Sequence, residues 1–127
     1  MSTPERLVLS PLPHTWILDL DGTLVVHNGY KSGEDYWLPG ALEFLRAIPE
    51  TDLVIILTAR EEAARERTER FLAESRVLYH RILFDVPQGE RILLNDAKPS
   101  GLTCAIAVDV DRDVGLRRLR LEIDPKL

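Results

Sequence analysis

The sequence predicts an α/β protein built on a mainly parallel sheet. Three observations lead there: strand-like apolar runs at 15–20 and 53–57, a helical pattern after each, and polar residues gathered just past the strand ends. Parallel neighbours need a crossover, and a helix is the usual one. The length of 127 residues suits one domain, 1–127.

Residues 1–14 carry Pro4, Pro11 and Pro13 and read as an extended lead-in. TWILDL (15–20) is the first strand, and the turn-rich centre of 25–38 marks a loop or short hairpin. In PGALEFLRAIPE, Ala41, Leu42, Leu45 and Ile48 share one helical face, with Pro39 opening the helix and Pro49 ending it. LVIIL (53–57) is a continuous apolar run, as in a strand buried on both faces. EEAARERTERFLAES is a helix with Ala64, Thr68, Phe71, Leu72 and Ser75 on its inner stripe. Glu61 with Arg65 and Glu66 with Arg70 support its solvent side. Residues 81–85, 91–95 and 103–109 read as further strands. Leu119, Leu121 and Ile123 alternate with charged residues, as on a half-exposed edge strand.

A net charge of −5 is a poor match for a phosphate backbone, so no nucleic-acid partner is expected. The single cysteine, Cys104, cannot form an internal disulfide, and its apolar neighbours predict a buried, inert thiol. The opening residues lack a signal-peptide layout, and no apolar run is long enough to cross a bilayer. A cytoplasmic protein without a membrane partner is the expectation.

Ligands of parallel sheets bind at the carboxyl ends of the strands. Asp19 and Asp21 follow the first strand, Thr58 and Arg60 the second, and Asn95, Asp96, Lys98 and Ser100 the run 91–95. Carboxylates brought together repel and raise one another's pKa, a conflict that Mg2+ resolves with its preference for oxygen ligands. Such a set suits phosphoryl transfer. Asp109, Asp111 and Asp113 look like the start of a calcium loop, but Val114 stands where its glycine belongs and Arg120 where its closing acid belongs. His14, His27 and His80 have no metal-ligand spacing.

DLDGTL resembles the DxDGT signature of the haloacid dehalogenase-like hydrolases, most of which are Mg2+-dependent phosphatases. Thr58 and Asp96 follow in that superfamily's chain order. The resemblance implies a Rossmann-like three-layer sandwich, capless because neither 24–38 nor 76–90 has room for a cap domain. It casts Asp19 as the nucleophile that forms an aspartyl-phosphate, and Asp21 as the acid and base that protonates the leaving alkoxide and then activates water. Thr58 would bond a phosphoryl oxygen, and Leu20, Gly22, Thr23, Ala59 and Arg60 would line the phosphate. The Asp19 and Asp96 carboxylates and the Asp21 carbonyl would hold Mg2+.

The chain departs from the superfamily in two places. The superfamily's lysine after the strand before the late aspartate is missing, since the link VPQGE carries none. Lys98 is the natural substitute, Arg60 an auxiliary contact, and Arg91 falls at the starting end of its strand, away from the site. Ser100 stands where many relatives carry another acid. The resulting expectation is a phosphatase acting on a sugar phosphate or similar small metabolite. Its alternatives are an inactive binding or assembly module, or a phosphatase of macromolecular phosphates. An open site implies either access for bulky or macromolecular phosphates or a second copy of the chain, a homo-oligomer, as cover. Tyr30, Tyr36 and Trp37 would then lie over a sugar or base or at the subunit contact.

Overall fold

The computed structural model describes residues 6–127, so residues 1–5 of the lead-in lie outside the described residues. Strands β2 (Thr15–Asp19), β3 (Leu53–Leu57) and β4 (Arg81–Leu83) form a parallel sheet in the order β2-β3-β4. Helix α1 (Ala41–Ala47) links β2 to β3; a 3-10 turn at Glu62–Ala64 and helix α2 (Arg65–Glu74) link β3 to β4. The lead-in is more than extended chain. Its β1 (Arg6–Leu9) pairs in parallel with β5 (Arg120–Ile123) as a second, two-stranded sheet, bridged by Arg6 and Glu122 at 2.7 Å.

Both helices pack on one face of the larger sheet. Ala41 and Leu45 of α1 and Leu72 of α2 share a core with Ile56 and Ile82. Handedness explains this: successive right-handed crossovers in one strand direction leave both helices on the same side. The other face is open, with Ile17 and Leu83 each 51% exposed. Two expectations therefore change. Among the described residues the sheet carries helices on one face and lacks the third layer, and β3 is fully buried only on the side of Val54 and Ile56.

The runs 91–95 and 103–109 form no strand, and Cys104 is exposed rather than buried. Strand propensity is realised only where backbone N–H and C=O groups meet a partner edge. Here Leu93, Asn95 and residues 102–104 face β2 across a cavity of about 500 Å3. No helix among the described residues is long and apolar enough to cross a membrane.

Candidate functional site

Parallel register sets the site. Asp19 pairs with Leu57, and Leu57 with Leu83, so residues 20–22, 58–60 and 84–86 leave the sheet at one edge. Leu20 is buried beneath the turn, while Asp19 and Asp21 reach a polar cavity of about 360 Å3. The turn is drawn tight by Leu24 and Val25 N–H groups donating to the Leu20 carbonyl, and by the Gly22 N–H donating to Val25. Gly22 takes φ +87°, and a Cβ there would sit 3.3 Å from Cγ of Arg112. Only glycine allows that backbone and that close approach without strain.

Each oxygen of Asp19 has one donor. Thr23 Oγ1 donates to Oδ2 at 3.0 Å, and Arg91 Nη1 donates to Oδ1 at 2.9 Å. Arg91 was expected away from the site. The turn after β4 returns the chain to it instead, and no strand at 91–95 carries the residue off. The cation beside the candidate nucleophile is therefore Arg91. Lys98 pairs with Asp96 at 2.8 Å, and neither lines the cavity.

Asp21 is held from the second strand end. Thr58, fully buried, donates its hydroxyl to Asp21 Oδ2 at 3.2 Å and accepts the Arg60 backbone N–H at 3.1 Å. Its single hydroxyl proton is thus directed at Asp21. The Arg60 guanidinium is buried and bonds Asp21 through Nε and Nη2, the latter at 2.9 Å. It also bonds Asp35 through Nη2 at 2.7 Å and Nη1 at 3.2 Å, and Thr68 through Nη1 at 2.8 Å. Every guanidinium N–H is engaged within the chain, so in this arrangement none is free for a phosphate. Burial alone would pull Arg60 down, but the bonds and charges of Asp21 and Asp35 outweigh it and hold the group above its ordinary value. Arg60 stays charged.

The Tyr30 ring packs on that guanidinium, its centroid 4.0 Å from Cζ. Trp37 stacks on Phe71 and donates to Ser75 Oγ at 2.8 Å, and Tyr36 bonds Glu34 at the surface. Of these three aromatics only Tyr30 lines the cavity, beside Lys31 and His27. Ala59, Arg60 and Arg112 complete much of the remaining wall. Asp113 braces two segments near the cavity: its carboxylate accepts the His27 N–H at 2.8 Å, and its own N–H donates to the Gly22 carbonyl at 2.9 Å.

The three-carboxylate set does not assemble. Among the described residues no group of three or more His, Cys, Asp or Glu could hold a metal ion. Mg2+ is nonetheless commonly bound by one or two carboxylates with water and phosphate oxygens. Asp19, half-exposed and with one donor per oxygen, retains the lone pairs for that smaller role.

Solved structures that resemble the chain include two chains of Pnkp1/Rnl/Hen1 complexes. One, from the Pnkp1/Rnl/Hen1 complex, shares 36% identity over 65% of this chain and 31% of its own, with a TM-score of 0.50. A chain of the Pnkp1/Rnl/Hen1 RNA repair complex shares 33% identity over 72% of this chain and 30% of its own, also with a TM-score of 0.50. The present chain thus spans less than a third of the length of either. No family model and no curated protein matches it.

Proposed function

We propose that the protein is a phosphatase of the haloacid dehalogenase-like type that removes a terminal phosphate monoester from an RNA strand. The observation that carries the chemistry is Asp19, held between Thr23 and Arg91 at the mouth of a polar cavity, with Asp21 beside it. The likeness to a chain of an RNA repair complex supports a macromolecular substrate over the small sugar phosphate first expected. Charge supports it as well. The chain carries −5 overall, yet Lys31, Arg91 and Arg112 gather at the cavity. A cleft attracts by its local field, so the net charge argued too broadly against nucleic acid.

In this reading an Asp19 carboxylate oxygen attacks phosphorus, and the bond to the ribose oxygen breaks. Asp21 gives that oxygen its proton, and Arg91 offsets charge on the phosphoryl oxygens. Water then attacks the aspartyl-phosphate, its proton passes to Asp21, and inorganic phosphate leaves with Asp19 restored. Mg2+ held by the Asp19 carboxylate and the Asp21 carbonyl would supply further charge shielding.

The test is phosphate release, with Mg2+ present, from oligoribonucleotides carrying a terminal phosphate and from a sugar phosphate. Release from the oligonucleotide that weakens with added salt, and is lost in Asp19→Asn, is the expected result. Hydrolysis of the sugar phosphate alone would overturn the substrate class. Release from neither would overturn the enzyme.

A further inference from the structure

We propose that Asp35 is a positioning residue that acts on Asp21 through Arg60, aiming the acid at the leaving oxygen. The inference rests on the phosphatase reading and goes beyond it, because Asp35 touches neither reacting carboxylate.

Three observations carry it. First, Asp35 is buried with its side chain only 2% exposed, although it lies in a turn-rich segment of exposed neighbours. A buried carboxylate is costly unless a fixed partner compensates it. Second, Nη2 of Arg60 is shared: it lies 2.9 Å from Asp21 Oδ1 and 2.7 Å from Asp35 Oδ1. One planar group therefore sets the separation and relative orientation of both carboxylates. Third, Thr68 at Nη1 and the Tyr30 ring, its centroid 4.0 Å from Cζ, narrow the freedom of that plane but leave its fixing to the two carboxylates. Without Asp35 the guanidinium loses the carboxylate anchor on its Nη1–Nη2 edge, next to the Nε–Nη2 edge that holds Asp21, and the plane can turn about its long side chain.

A carboxylate that must deliver a proton needs direction as well as proximity. The 28–36 segment, which contributes Tyr30, Lys31 and Asp35, is thereby tied to the proton-transfer residue. Substrate contacts on this flap would be transmitted to Asp21 through Arg60.

The discriminating readout is leaving-group dependence. A ribose alkoxide needs its proton in the transition state, whereas p-nitrophenolate leaves without one. Asp35→Asn keeps the size of the side chain and removes its charge. It should lower kcat/KM, which reports leaving-group departure and not the later shared hydrolysis of the aspartyl-phosphate. The loss should be far larger on a phosphate-terminated oligoribonucleotide than on p-nitrophenyl phosphate, so that the ratio of the first to the second falls by roughly tenfold or more. Asp35→Glu, which keeps the charge, should bring the ratio back toward wild type. Arg60→Lys, which keeps a cation but cannot serve both carboxylates, should reproduce the selective loss. Nitrogen-15 NMR supplies a readout independent of turnover: slow rotation of the Arg60 guanidinium in wild type should become fast in Asp35→Asn. Equal loss of kcat/KM on both esters, with an unchanged ratio, would overturn the positioning role while leaving the phosphatase reading intact. Wild type inactive on both esters would overturn the reading itself.

Discussion

Arg91 Nη1 stands 2.9 Å from Asp19 Oδ1, although 72 positions separate the two residues in the chain. The pair couples the turn that follows β4 to the end of β2. It assigns the site's charge-balancing cation to a residue outside the DLDGT signature.

Arg91→Ala should lower kcat/KM for phosphate release by roughly 10²-fold, the cost typical of removing one donor aimed at developing charge. Arg91→Lys should recover part of it, since the charge remains but the planar fork does not. Steady-state kinetics on the two variants checks this. Lys98→Ala, altering a residue paired to Asp96 away from the cavity lining, should leave kcat/KM close to wild type.

Asp52 links β2 to the start of β3. It is buried, and it accepts the Trp16 indole N–H at 2.9 Å and the His14 backbone N–H at 3.1 Å. Burial alone would raise its pKa, but those bonds outweigh it and hold the group below its ordinary value. A depressed carboxylate contributes stability above its unfolded pKa and loses it as pH falls through the folded one. Asp52→Asn should therefore cost about 1–3 kcal/mol at neutral pH. The gap to wild type should narrow as acid protonates the native carboxylate, which urea unfolding at a series of pH values will measure.

Gly115 takes φ +93°, and a Cβ there would collide with the Pro39 carbonyl that accepts the Leu116 N–H at 2.9 Å. Gly115→Ala should destabilise by roughly 2–5 kcal/mol, combining left-handed strain with overpacking. Thermal unfolding will show it as a large fall in Tm.

Cys104 is exposed, so the native protein should react with a thiol reagent about as fast as the unfolded chain does. Protection of the native thiol would place residues 103–109 in a covered environment.

Much of this architecture is legible in the sequence itself. The β2 and β3 runs and both helices follow from apolar periodicity, and the convergence of Asp19, Asp21, Thr58 and Arg60 follows from parallel register. Legibility failed where a long-range partner decides the outcome. The runs 91–95 and 103–109 have strand composition without a paired edge, and Arg6–Leu9 became a strand because Arg120–Ile123 supplied one. Asp35 carries no spacing signal at all. One of two adjacent acids in HNGYKSGEDYW, it looks like any loop carboxylate until the fold brings Arg60 against it.

The pairing of β1 with β5 has a consequence for how the molecule comes into being. Arg6 waits for Arg120, so residues through 123 must leave the ribosome before the smaller sheet can close. The β2-β3-β4 sheet and its helices depend on much shorter loops and can form first. Synthesis halted before residue 120 would thus leave the Asp19–Asp21 edge assembled and β1 without its mate.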